Sequence, residues 1–121
     1  MRGLPQRFVI LLLAAWSASP AGAHAVLDQT VPAARSTVRA SPKEVTLKFT
    51  QRLEPAFSSV QVLDTKGRRV DSGDSRVDAV DPTSLRVSVP SLSGGRYRVI
   101  WRVLSIDTHV TKGEFHFDVA P

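Results

Sequence analysis

From Glu44 to Thr50 the chain alternates strictly, with Val45, Leu47 and Phe49 set between Glu44, Thr46, Lys48 and Thr50. Side chains of an extended chain point to opposite faces with a period of two, so this segment predicts a strand with one buried and one wet face. The same alternation returns at Val60 and Val62, and at Leu85, Val87 and Val89 around Arg86 and Ser88. It returns again at Tyr97, Val99, Trp101 and Val103 against Arg96, Arg98 and Arg102, and at Phe115, Phe117 and Val119 against Glu114, His116 and Asp118. Turn-forming pairs lie between the runs: Ser41-Pro42, Glu54-Pro55, Lys66-Gly67, Ser72-Gly73, Asp81-Pro82 and Ser93-Gly94-Gly95. No stretch shows a helical stripe. Strands with one wet face must share a core, which predicts an all-β sandwich of about seven strands in two antiparallel sheets, with a small closed barrel as the alternative. Trp101 is the core candidate with a polar handle, and its indole N–H is expected to find a local acceptor.

The first 23 residues do not join this pattern. Arg2 and Arg7 form a basic start, Phe8 to Trp16 an apolar run, and Ala21-Gly22-Ala23 a small-x-small site, which together predict a secretory signal peptide cut after Ala23. The apolar run is far shorter than the ~20 residues a membrane-spanning helix needs, so no stable membrane anchor is expected after cleavage. Removing 23 of 121 residues leaves one domain of 98, residues 24–121, which is expected to be periplasmic or otherwise exported across the inner membrane. That length supports one modest core.

Charge and cysteine content narrow the chemistry. Arg2 and Arg7 leave with the signal, so 14 Lys and Arg face 11 Asp and Glu, a formal +3 where the whole chain has +5. The cations are interleaved with acids and only Arg68 and Arg69 are adjacent, so no stripe is present that would track nucleic-acid phosphates. The absence of cysteine excludes disulfides, a thiolate zinc site and a cysteine nucleophile.

Three histidines remain: His24, His109 and His116. Alternation sends His116 away from the side that Phe115 and Phe117 occupy, to solvent or a surface partner. His24 becomes the first residue after cleavage, and its free amine and its own imidazole can then chelate one ion. In Asp107-Thr108-His109 an extended backbone would project the carboxylate and the imidazole to one side, although a simple carboxylate–histidine pair in a loop explains the same residues. Taken together, one amine, two imidazoles and one carboxylate suit Cu(II), which also heads the divalent affinity order, with Zn(II) as its competitor. The mature chain has neither Met nor Cys, the soft ligands that Cu(I) prefers.

One series of segments runs in order along the chain: His24-Ala25-Val26-Leu27, Val31-Pro32-Ala33, Ser41-Pro42, Val45-Thr46-Leu47-Lys48-Phe49 and Glu54-Pro55-Ala56-Phe57. It continues in Ser105-Ile106-Asp107-Thr108-His109-Val110, Gly113-Glu114-Phe115 and Phe117. Through this series the sequence from His24 to Val119 bears a resemblance to the CopC family of periplasmic copper-resistance proteins. The resemblance implies a seven-stranded Greek-key sandwich, immunoglobulin-like or cupredoxin-like. It also implies one Cu(II) per chain, held by the amine and imidazole of His24, an oxygen of Asp107 and an imidazole of His109. Thr108 stands where the family often has glycine, and Gln51 and Glu54 lie where many members carry a glutamate, which is not counted here as a donor. The methionine-rich loop of some members is absent.

The resulting expectation is a Cu(II)-binding protein and not an enzyme, which acts in copper homeostasis, resistance or transport and delivers the ion to an inner-membrane copper-import partner. Two alternatives come from other classes. A copper-dependent oxidative enzyme of the lytic-monooxygenase type uses a similar amine–imidazole set, but a domain this small leaves little room for a substrate face. A metal-free immunoglobulin-like interaction module needs no site.

Overall fold

The computed structural model describes residues 24–121 and Gly3; the predicted signal peptide otherwise lies outside the described residues. Eight strands follow in order: β1 (Leu27–Val31), β2 (Thr37–Val38), β3 (Glu44–Phe49), β4 (Ser59–Leu63), β5 (Arg76–Val77), β6 (Ser84–Ser88), β7 (Gly95–Leu104) and β8 (Val110–Val119). A short 3-10 turn occupies Pro55–Phe57. The strands form two four-stranded sheets, ordered β1-β3-β6-β5 and β2-β8-β7-β4. All pairings are antiparallel except that of β2 with β8.

The all-β sandwich is as expected, but the count is eight and not seven. The two-residue strands β2 and β5 are too short for alternation to mark. Tertiary pairing alone defines β2: the Asp118 amide donates to Ser36 O at 2.9 Å and the Ala120 amide to Val38 O at 2.8 Å.

The alternating apolar sets meet between the sheets. Val45, Leu47 and Phe49 of β3 and Leu85 and Val87 of β6 face Val60 and Val62 of β4, Tyr97, Val99, Trp101 and Val103 of β7, and Phe117 and Val119 of β8, and all of them are buried. Each large side chain withdrawn from water favours folding by roughly 1.5–3 kcal/mol, which makes this layer the main source of stability. Phe115 is only half-buried. β2 reaches no further along β8 than Asp118 and Val119, so at Phe115 the edge is covered chiefly by the Arg35 amide, which donates to His116 O at 2.7 Å.

Trp101 departs from expectation. Its ring meets Phe49 edge to face at 5.1 Å and 73°, but its buried Nε1 has no hydrogen-bond partner. Gly113 lies opposite it in the β7–β8 register and brings no side chain that could accept the bond. A Cβ there would fall 2.6 Å from the ring. The indole therefore fills the space a side chain would take, and its area outweighs an unmade bond that costs about 1–3 kcal/mol.

Two features bring separate parts of the chain to one end of the sandwich. The β7–β8 hairpin is paired along its whole length and projects residues 105–109 as its tip. Pairing of β1 with β3 lays the segment that precedes Leu27 beside Thr50, at the same end.

Candidate metal centre

The tip is a tight hairpin loop. The Ser105 amide donates to His109 O at 3.0 Å and the Thr108 amide to Ser105 O at 2.9 Å, while Thr108 has a φ of 70°. A three-residue hairpin commonly turns in this way, with its third residue in the left-handed region. A left-handed backbone is one that favours glycine, the residue that the resemblance implied at this position. Thr108 adopts it with a hydroxyl that donates to Asp107 O at 2.6 Å.

Asp107 and His109 are close, but not for the reason alternation suggested. They belong to a turn and not to an extended run, and the left-handed Thr108 swings the two side chains together, with Asp107 Oδ1 3.7 Å from His109 Nδ1. Both side chains are open to solvent, at 39% and 45% exposure. An ion pair so placed adds little to stability. What the placement leaves is access.

Ser105 orders the pair from below. It is fully buried, its hydroxyl donates to Asp107 Oδ1 in a very short contact, and its Oγ accepts from the His109 amide at 3.3 Å. The Ser105 bond, more than the nearby His109, holds the Asp107 carboxyl below its ordinary pKa, so the group is an anion at neutral pH.

His24 reaches the tip from the other sheet. Its ring meets that of His109 edge to face, with centroids 4.7 Å apart at 75°. The arm behind it is clamped by two threonines. Thr111 Oγ1 donates to Ala25 O at 3.0 Å, while Val26 and Thr50 exchange two bonds, Val26 N to Thr50 Oγ1 at 3.0 Å and Thr50 N to Val26 O at 2.9 Å. Ala25 is buried between these anchors.

The structure thus brings His24, Asp107 and His109 to one exposed end and leaves His116 out. His116 stands opposite Arg98 on the outer face of the β7–β8 pair, as alternation predicted. The three side chains adjoin without converging: among the described residues, no three His, Asp or Glu groups close to metal-binding separation. In the full chain the His24 nitrogen is a peptide amide, so a fourth donor, the amine, exists only after cleavage ahead of it. Two imidazoles, a carboxylate and an amine form a mixed nitrogen–oxygen set of the kind Cu(II) takes. Ser105, Thr111 and Thr50 were not singled out by sequence reasoning. One signal was available for Thr111, a polar residue that period two places on the core side, opposite Val103.

Comparison with known proteins agrees with this architecture. Residues 27–120 match the family model for the CopC domain. The chain is 35% identical over 117 residues to copper resistance protein C of Xanthomonas campestris pv. juglandis, covering 92% of this chain and 91% of that one. Among solved structures, CopC from Methylosinus trichosporium OB3b is 40% identical with a TM-score of 0.72, covering 81% of this chain and 95% of that one. PcoC, a methionine-rich copper resistance protein from Escherichia coli, is 34% identical with a TM-score of 0.70, covering 79% of this chain and 98% of that one. With a family model that spans all eight strands and two-sheet relatives matched nearly end to end, the chain belongs to the CopC family of copper-resistance proteins.

Proposed function

We propose that the chain is cut after Ala23, that residues 24–121 act in the periplasm, and that this domain binds one Cu(II) through the His24 amine and imidazole, an Asp107 oxygen and a His109 imidazole. It works as a carrier and not as an enzyme, and passes the ion to an inner-membrane copper-import protein. The observation that carries this reading is the meeting of His24, Asp107 and His109 at one solvent-open end, from segments more than eighty residues apart in sequence. Copper enters as cargo: the donors are exposed, so the ion can be loaded and surrendered without unfolding the sandwich. Support for the oxidised ion comes from the donor chemistry, and from a chain whose single Met is Met1, in contrast with the methionine-rich PcoC.

The test is a Cu(II) titration of protein beginning at His24, followed by electron paramagnetic resonance. One equivalent should give a tetragonal spectrum with nitrogen hyperfine structure. A chain extended by one glycine ahead of His24 should bind far more weakly, because the amine becomes an amide. Equal binding by the two forms would remove the amine from the ligand set, and no stoichiometric binding by either would overturn the carrier.

A further inference from the structure

Cations on the outer face of the β2-β8-β7-β4 sheet are paired unevenly. Away from the candidate metal centre, Arg96 is bound to Asp118 and Arg98 to Glu114. Nearer the centre, Arg102 and Lys112 stand directly opposite one another in the β7–β8 register. Both are exposed, and among the described residues neither has an ion-pair partner. Like charges directly opposed across a strand pair act against folding. Glu114, the neighbouring acid on β8, is already engaged by Arg98. The pair is therefore left without a neutralising partner in the free domain.

Its surroundings suggest what it serves. Arg102 and Lys112 border a groove of about 400 Å³ that also includes Ile100 and Glu114. Two residues further along each strand, about 7 Å at the rise of an extended chain, Leu104 faces Val110, and Val110 is 49% exposed. Beyond it the tip carries Ile106, 50% exposed, whose amide is bound to the carbonyl of Arg52. Arg52 is also exposed and has no ion-pair partner among the described residues. Asp107 and His109 thus sit on an apolar tip flanked by unneutralised cations, whereas Arg96 and Arg98, further along the same strand, are each paired with an acid.

We propose that this face, formed by Arg102 and Lys112 with Ile106 and Val110, docks the acidic surface of the protein that receives the metal. The proposal rests on the carrier reading above and names the chemistry of its partner. Charge complementarity selects an acidic occupant, and ligand exchange selects a protein over a lipid surface. To take an ion held at the tip, the recipient must bring donors of its own to Asp107 and His109, and apolar contact around the tip excludes water while it does so. Facing charges also speed encounter and fix the register of the two partners.

The experiment uses metal-free protein beginning at His24 and a fluorescein-labelled peptide rich in Asp and Glu that contains a His-x-His pair, with an Asn and Gln counterpart as the neutral control. Anisotropy at low ionic strength should show binding of the acidic peptide only, weakened by salt. R102Q/K112Q should weaken it about tenfold, as the loss of two facing charge contacts requires. K43Q/K66Q removes equal charge from two exposed lysines at the opposite end and should change binding less than twofold. Thermal melts establish that both variants are folded. Equal losses in the two variants would reduce the effect to net charge and overturn the proposal, as would no binding of the acidic peptide. Co-sedimentation with phosphatidylglycerol-containing vesicles, lost in R102Q/K112Q while peptide binding persists, would assign the face to a membrane and overturn it equally. Every arm is free of copper, so a failure of Cu(II) uptake would strike the carrier reading and leave the docking result legible.

Discussion

Thr108 is a β-branched residue at φ 70°, a region in which an L side chain costs roughly 1–2 kcal/mol. Glycine avoids that cost but loses about 0.5–1 kcal/mol more chain entropy on folding. Thr108→Gly relieves the strain but also loses the hydroxyl bond to Asp107 O, so it is expected to change stability by less than about 1 kcal/mol, read from urea denaturation. Thr108→Val keeps the strain and loses the hydroxyl bond to Asp107 O, so it should be less stable than the parent. At the proposed ligands the contrast is sharper. His109→Ala should lower Cu(II) affinity by at least a hundredfold in competitive titration, and His116→Ala, on the outer face opposite Arg98, by less than threefold. Comparable losses would mean that the tip is not where the metal binds. The proximity of Asp107 and His109 was legible from the sequence only as a pair two residues apart. Its actual cause, a turn closed by a left-handed residue, depends on a backbone angle that spacing does not reveal.

The strands were legible where they were long. Val45, Leu47 and Phe49 or Tyr97, Val99, Trp101 and Val103 reveal their inward face because the core leaves one side of each strand wet, and every one of these residues is buried. β2 and β5 were not legible, since two residues make no period. The β7–β8 hairpin carries a packing constraint that the sequence marks only as a glycine. Gly113→Ala would set a Cβ 2.6 Å from the Trp101 ring, which is also packed on Phe49. Ring or strand must shift, at an expected cost of about 1–3 kcal/mol in urea denaturation, with a change in Trp101 near-ultraviolet circular dichroism. At the start of the same strand, Thr111→Val keeps the shape but removes the bond to Ala25 O. It should loosen the His24 arm, shorten copper residence time several-fold and cost about 1 kcal/mol of folding stability for the unpaired Ala25 carbonyl, whereas Thr111→Ser should restore the parent behaviour.

Across the whole molecule, carboxylates bind the loops and outer faces together. Thr83 and Ser84 hydrogen bonds bring Asp81 down to about 2, with Lys48 assisting. Asp74 is lowered by its Ser88 contacts, Asp78 by the Val80 amide and Arg86, and Asp118 by Arg96. Asp71 has a fully enclosed side chain, and burial alone would raise it. The Arg69 guanidinium and the amides of Val62 and Gly73 more than reverse that, and its pKa falls. A carboxyl whose folded value lies below its unfolded 3.8 contributes stability that is fully present above that value and is lost as pH falls through the folded one. The melting temperature should therefore stay nearly level from pH 7 to 5 and drop steadily from pH 4 to 2. Asp81→Asn should be less stable at pH 7 and should flatten the drop; an unchanged acid profile in that variant would show that Asp81 carries none of it.

Alternation along the chain was enough to determine a half-buried β architecture and most of its core, because burial of one strand face is a local pattern with a fixed period. The same sequence named His24, Asp107 and His109 as candidates from their chemistry alone. Tertiary structure decided which of these meet. That depends on β1 pairing with β3 and on the threonine clamps at Thr50 and Thr111, contacts between residues far apart in the chain. It also decided that Trp101 goes without an acceptor and that Arg102 faces Lys112, since register across a hairpin sets neighbours that no single strand's pattern contains.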